Sequence, residues 1–327
     1  MKTSIKKIAS VVLAVAILSI TATNANAVGT REIASGNTLF ALSGENSSKY
    51  GQLLTLNPQT AAPTEVGTRG SASNYGFAYQ AAYNPVNKSI YWLSKDFNNG
   101  IPNDLMKANP TTGQSVIVGP LTLNGNQIDV QSMAIGANGS AYGLSDSVLY
   151  SVNLNTGALT VISSSLPADR WYSFAYNPAD HKFYAVTNNA NGGLVEINVT
   201  DGTVTGLIPF SNFPNLGAGT STSAKRTFSI AFDQNGSLWG INLDGDIFTT
   251  LVSGANNADF VTGIQVVGTP GTTATNGITI AYNYAAGSNE LANTGTNPAA
   301  INSFGAAALL ALIAGGSLLF LARRKNS

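Results

Sequence analysis

The stretch Phe174-Ala175-Tyr176-Asn177-Pro178 decides the fold, because it recurs. Its counterparts are Ala81-Ala82-Tyr83-Asn84-Pro85, Met133-Ala134-Ile135-Gly136-Ala137, Ile230-Ala231-Phe232-Asp233-Gln234 and Ile280-Ala281-Tyr282-Asn283-Tyr284. The aligned alanines (82, 134, 175, 231, 281) are 52, 41, 56 and 50 residues apart. Each of the first four copies leads into a second short strand with an aromatic residue: Ser89-Ile90-Tyr91-Trp92, Ser140-Ala141-Tyr142-Gly143, Lys182-Phe183-Tyr184-Ala185 and Ser237-Leu238-Trp239-Gly240. A third strand follows, clearest in Leu149–Asn153 and Leu194–Asn198. Asn155-Thr156-Gly157 and Thr200-Asp201-Gly202 then turn into a fourth. Short alternating runs bounded by Gly, Asn and Asp are hairpin signals. No segment between the two chain ends sustains a helical period.

Four short strands in each unit of ~40–50 residues is the arithmetic of a β-propeller blade. The ends of the repeat region complete each other. Thr38–Leu42, Leu53–Asn57 and Thr64–Gly67 read as second, third and fourth strands with no first strand before them. Ile278–Tyr284 reads as a first strand with nothing after it. A blade made from both ends closes the ring and removes its open edges. The expected fold is therefore all-β, a five-bladed propeller over residues 37–284 closed by N- and C-terminal strands. A small alanine on each innermost strand lets neighbouring blades approach at the axis. The alternative is an elongated β-sandwich or two smaller β-domains. The strand-turn grammar resembles bacterial surface propellers with YVTN- or NHL-like repeats.

The two ends of the chain carry addresses. Lys2, Lys6 and Lys7 precede an apolar run from Ile8 to Ile20, and Ala25-Asn26-Ala27 supplies a small-x-small site. This is the pattern of a secretory signal peptide cut between Ala27 and Val28. At the other end, residues 301–322 hold no charge and are long enough to span a bilayer. Arg323, Arg324 and Lys325 follow at once, which keeps the tail at 323–327 inside the cell. Just upstream stands Leu291-Ala292-Asn293-Thr294-Gly295. Pentapeptide, apolar span and basic tail, in that order, resemble the cell-wall sorting signal of Gram-positive surface proteins. The resemblance implies a sortase that cleaves after Thr294 and joins it to peptidoglycan. Ala292 stands where that signal usually has Pro, so the resemblance implies a sortase class reading Leu-Ala-x-Thr-Gly. The expected location is the cell wall, reached through a membrane-anchored precursor.

Removing residues 1–27 and 295–327 leaves ten basic residues against sixteen acids, a net charge of −6. That argues against nucleic acid, whose binding calls for basic patches. Cysteine is absent, so the fold stands on its hydrophobic core, and thiol chemistry is excluded. The small, polar residues 285–300 form a short linker ahead of the span. Residues 28–36 are a lead-in to the first strand.

Little in the sequence specifies chemistry. The single histidine, His181, falls in a turn, where a Ser-His-Asp arrangement would need it buried beside a serine and an acid. No cofactor is implied. Resemblance to propellers also brings glycosidases into view, whose acids converge at one channel mouth. Here Asp96, Asp104, Asp129, Asp169, Asp244 and Asp246 fall in loops assigned to that mouth. Paired carboxyls at a defined separation are required for such hydrolysis, and no repeated motif selects a pair. Asp244-Gly245-Asp246 is a weak calcium candidate, since Asp-Gly between two short strands is more often a plain hairpin turn. Arg69, Tyr75, Asp129, Asp169, Arg170, Trp171 and Arg226 form a candidate ligand face. Aromatics beside charges would stack on sugars or engage a peptide, whereas Trp171 and Tyr172 would serve equally well as blade packing. The sequence thus predicts a non-enzymatic surface protein that binds an unidentified extracellular ligand. A wall-attached glycoside hydrolase and a structural coat protein are the alternatives.

Overall fold

A computed structural model describes residues 33–43, 51–68, 77–96, 101–167, 171–187, 193–209, 227–242, 245–251, 265–268 and 275–282. Both chain ends, including the signal segment, the sorting pentapeptide and the apolar span, lie outside the described residues. The described residues are all-β, as the alternation of the sequence requires.

Blade 1 receives β1 (Thr38–Ser43), β2 (Leu53–Leu56) and β3 (Pro63–Glu65). Blade 2 is β4 (Phe77–Asn84), β5 (Ser89–Asp96), β6 (Ile101–Ala108) and β7 (Ser115–Pro120). A small hairpin, β8 (Thr122–Leu123) with β9 (Asn126–Gln127), then precedes blade 3. That blade is β10 (Ser132–Ile135), β11 (Ala141–Ser145), β12 (Val148–Val152) and β13 (Leu159–Ser163). Blade 4 is β14 (Trp171–Asn177), β15 (Lys182–Thr187), β16 (Gly193–Ile197) and β17 (Val204–Pro209). Blade 5 is β18 (Thr227–Phe232), β19 (Ser237–Asn242), β20 (Ile247–Leu251) and β21 (Gln265–Gly268). The last strand, β22 (Thr275–Ala281), returns to blade 1, whose order is β22-β1-β2-β3. All five blades are four-stranded antiparallel sheets, so the five-bladed propeller expected from the repeat is the fold.

Closure is an antiparallel ladder running from Thr38↔Ala281 to Ser43↔Thr275. The lead-in strengthens it. The Ala34 amide donates to Asp233 Oδ2 at 3.3 Å, and Asn37 Oδ1 accepts from the Gln234 amide at 3.3 Å, which ties blade 1 to blade 5. The core lies between blades rather than in one central mass. Leu39, Leu42, Ile278, Ile280, Trp92 and Trp239 belong to one cluster spanning blades 1, 2 and 5, and three further clusters fill the other blade interfaces.

The turns between third and fourth strands repeat one device. Asn57, Asn109, Asn153 and Asn198 each accept, through Oδ1, the amide two residues on, at 2.8–3.0 Å. Such side-chain-to-backbone bonds imitate a backbone turn. Four residues after each asparagine the chain enters the left-handed region, at Ala61, Gly113, Gly157 and Gly202. That residue's amide donates back to the asparagine carbonyl at 2.8–2.9 Å. These turns also touch the preceding blade: a Cβ on Gly113 would stand 1.7 Å from the Val66 carbonyl oxygen. Gly125, in the β8–β9 turn, has φ +83° but open space around it.

These two glycines separate backbone strain from steric contact. Gly125→Ala should cost only the left-handed penalty of about 1–2 kcal/mol. Gly113→Ala should cost about 3 kcal/mol or more, because a backbone clash between blades is added. Urea unfolding of both variants checks this, and equal losses would show that the turn does not seat against blade 1.

Candidate functional site

The five innermost strands β22, β4, β10, β14 and β18 surround the axis. Their antiparallel partners fix two mouths. At the upper mouth inner strands begin and second strands end, as in Ser132↔Leu144. At the lower mouth inner strands end and turn back, as in Ile135↔Ala141.

Of the ligand-face residues read from the sequence, Arg69, Tyr75, Asp169, Arg170 and Arg226 lie outside the described residues. Asp129 is exposed at the upper mouth, and its carbonyl accepts from Ser145 Oγ at 2.7 Å. Trp171 requires a correction. Only 1% of it is exposed, and its indole Nε1 donates to the Asp146 carbonyl at 2.6 Å. Gln131 completes the join: its Oε1 accepts from the Trp171 amide at 2.9 Å, and its Nε2 donates to Asp146 Oδ1 at 2.9 Å. Trp171 therefore pins blade 4 to the β11–β12 turn of blade 3 and offers no ring face to a ligand. Tyr172, beside it, is partly buried against the core between blades 4 and 5.

Asp246 belongs to the β19–β20 hairpin. Its amide donates to Asn242 Oδ1 at 2.8 Å, and its Oδ2 accepts from Asn242 Nδ2 at 3.2 Å. Asp244 lies outside the described residues. Among the described residues no three acids or histidines come together as a metal site. Three of the six channel-mouth acids have described side chains, and they stand on different blades or their approaches: Asp104 on β6, Asp129 before β10 and Asp246 before β20. Burial raises the Asp104 carboxyl above its ordinary range.

The axis holds a group that sequence reading missed. At one matching position of the innermost strand each blade buries a polar residue: Gln80, Ser132, Ser173, Ser229 and Thr279. Ser173 Oγ accepts from the Ile230 amide at 2.9 Å, and Ser229 Oγ accepts from the Ile278 amide at 3.1 Å, so each bonds the next blade. Gln80 Nε2 reaches from blade 2 to the Phe174 carbonyl of blade 4, 3.4 Å away, which carries its side chain across the axis. Gln80 Oε1 and Ser132 Oγ have no partner among the described residues. Below this girdle is an axial cavity of about 30 Å³, walled by Ala82, Ala134, Ala175 and Ala231 and rimmed by Tyr83, Tyr176, Phe232 and Tyr282. That is room for one or two waters and not for a sugar ring. The signal was present: each repeat places its polar residue two positions before the aligned alanine.

Blade 4 carries the densest titratable cluster among the described residues, at the lower mouth. Asp180 Oδ2 accepts from Tyr184 OH at 2.7 Å, and its Oδ1 accepts from the Lys182 amide at 3.0 Å. Lys182 Nζ pairs with Glu196 at 2.9 Å. His181 is exposed, with Nδ1 2.8 Å from Tyr176 OH. Desolvation raises the Asp180 carboxyl, outweighing the hydrogen bonds and the Lys182 charge that favour its ionised form. Burial and the adjacent Asp180 charge raise the Tyr184 phenol as well. One carboxyl meets one phenol here, which holds a turn and does not form the two-carboxyl arrangement of a glycosidase.

Residues 293–327 match the family model described as the LPXTG cell wall anchor motif. The match takes in Asn293-Thr294-Gly295, the apolar run and the basic tail, while Leu291 and Ala292 precede it. The chain is thus a cell-wall-anchored surface protein of the Gram-positive type carrying a propeller. No curated protein matches it. Solved structures similar to it include a symmetrical protein described as a de novo evolutionary emergence, at 16% identity and TM-score 0.45, covering 74% of this chain and 97% of that one. A structural genomics protein of unknown function from Bacteroides thetaiotaomicron VPI-5482 shares 14% identity at TM-score 0.43, over 73% of this chain and 56% of that one. TolB from Acinetobacter baumannii shares 11% identity at TM-score 0.41, over 71% and 52%. The chain therefore spans about half the length of the latter two, and likenesses this distant carry no functional argument.

Asp180 gives a pH test. Its folded-state pKa lies above the ordinary 3.8, so the folded chain takes up this proton at higher pH than the unfolded chain does. The carboxylate costs stability above the folded pKa, and the cost is relieved as pH falls toward 3.8. In urea unfolding across that window, wild type should gain on Asp180→Asn as pH drops. A constant difference between the two would show that Asp180 is not desolvated.

Proposed function

We propose that this chain is exported, cut between Ala27 and Val28, and joined to peptidoglycan through Thr294, so that its propeller binds an extracellular partner without catalysing a reaction. The observation that carries this reading is the anchor match at 293–327 on a chain whose described residues form a closed propeller. Ala292 in the sorting pentapeptide favours a sortase class that reads Leu-Ala-x-Thr-Gly. The upper mouth is the proposed binding face. It carries the exposed Asp129, and the sequence reading assigns Arg69, Tyr75, Asp169, Arg170 and Arg226 to the same face, while the net charge of −6 disfavours anionic polymers.

Two measurements test the reading. Thr294→Ala should remove the chain from purified cell wall and leave it in the membrane fraction. Mass spectrometry of wall digests should find wild-type peptides ending at Thr294 on a peptidoglycan amine, and intact peptides crossing Thr294-Gly295 in the wall fraction would refute the attachment. For the propeller, glycan and peptide arrays probed with cells displaying the full chain should show binding that weakens with Asp129→Asn, and no product release. Hydrolysis lost in that variant would instead establish the glycosidase. Silence in both assays would leave a coat protein.

A further inference from the structure

Asparagine followed by glycine is a reactive pair as well as a turn signal. With no Cβ in the way, the glycine amide nitrogen is able to attack the side-chain amide carbon of the asparagine. The sequence holds six such pairs, at Asn99, Asn124, Asn138, Asn191, Asn235 and Asn276. Asn99-Gly100 and Asn191-Gly192 lie outside the described residues. The other four differ in how the fold holds the attacking nitrogen.

Three are restrained. The Gly139 amide donates to the Gly136 carbonyl at 3.0 Å, and Asn138 Oδ1 accepts from the Ser140 amide at 2.9 Å. A Cβ on Gly139 would stand 3.2 Å from Val86 Cγ2, so this turn of blade 3 seats on blade 2. The Gly236 amide donates to the Asp233 carbonyl at 3.0 Å. Gly236 is itself buried, and a Cβ there would stand 2.9 Å from that of Ala179 on blade 4. Gly277 is fixed in the closing ladder opposite Leu42.

Asn124-Gly125 is the exception. It is the loop of the β8–β9 hairpin, and both residues are exposed. Neither the Asn124 side chain nor the Gly125 amide makes a hydrogen bond among the described residues. A Cβ on Gly125 would meet nothing within 4 Å. Asn124 has φ +51° and Gly125 φ +83°, the left-handed values that a two-residue hairpin loop requires. Attack on the side chain requires the loop to leave that conformation. Only two residue pairs resist, Thr122↔Gln127 and Leu123↔Asn126, and so short a ladder opens at little cost. The bonds that anchor the hairpin lie at its base, where the Leu121 amide donates to Asn103 and the Thr122 amide to Gly157. They leave the tip free to open.

We propose that Asn124 is a site of spontaneous deamidation in the folded protein. The Gly125 nitrogen gives its proton to solvent and bonds to Asn124 Cγ, the Cγ–Nδ2 bond breaks, and ammonia leaves. Water then opens the cyclic imide at either carbonyl, giving aspartate or isoaspartate. Each event adds one negative charge where the hairpin bridges blades 2 and 3. Isoaspartate also routes the backbone through the side chain, which lengthens the loop and upsets its register. The change runs one way, so its extent records how long a molecule has existed. It depends on the hairpin alone and on neither the anchor nor a ligand.

Full-length chain in detergent micelles, kept folded at mildly alkaline pH and sampled over days, provides the test. Tandem mass spectrometry should find the amide-to-acid mass gain at Asn124 severalfold ahead of Asn138, Asn235 and Asn276, with isoaspartate exceeding aspartate. In urea the four should react at similar rates, since the restraints on three of them are gone. Asn124→Gln should abolish the gain at that position and Gly125→Ala should slow it severalfold, with circular dichroism unchanged in both. Equal rates at the four sites of the folded chain would overturn the proposal, as would an Asn124 that stays intact while the unfolded chain reacts.

Discussion

The pairing of β22 with β1 is the constraint on which the structure depends. It joins residues near opposite ends of the described chain, Thr38 to Ala281, and no disulfide assists it. Closing a loop of that length costs on the order of 5 kcal/mol in chain entropy before any contact repays it. What repays it is buried apolar area on both strands. Leu39, Leu42, Ile278 and Ile280 are each no more than 2% exposed. Asp233 and Asn37 add polar ties from the lead-in to the neighbouring blade. Without this ladder, β1 and β18 would each face the gap where β22 belongs.

The girdle at the axis is a second consequence of closure. A five-membered ring is tight enough for one glutamine to span it, and Gln80 does so. Ser173 and Ser229, at the same position, bond the next blade's backbone, which sets blade-to-blade spacing from inside while the Asn turns set it at the rim. The Asn turns spend no charge, in keeping with a chain in which charged residues make up only 10%. Apolar surface and backbone-directed hydrogen bonds dominate the contacts between blades, and Lys182–Glu196 is an ion pair within blade 4.

Much of this was legible in the sequence, because strand alternation, turn residues and the alanine repeat are local signals. The blade count followed from the spacing of Ala82, Ala134, Ala175, Ala231 and Ala281, and the closing blade from two incomplete fragments. What escaped was non-local. Trp171 could be read as a ligand aromatic or a packing aromatic until the Asp146 carbonyl and Gln131 were seen to come from another blade. The β8–β9 hairpin escaped because two-residue strands have no period to detect. The girdle escaped because one polar residue within an apolar strand means little until five such positions share an axis. The anchor lies at the opposite extreme: it is read by order along the chain, and the family match at 293–327 recovers it without reference to folding.

Closure by the last strand also orders events in time. A chain is synthesised from its N-terminus, so β1 is made with the first blade's outer strands and waits for its innermost neighbour until residues 275–281 exist. A product that stops anywhere in blade 5 carries two raw sheet edges, and neither can be satisfied from within. Completeness of the polypeptide is thereby written into solubility. Only a chain translated through Thr275–Ala281 can present a surface with no gap in the ring.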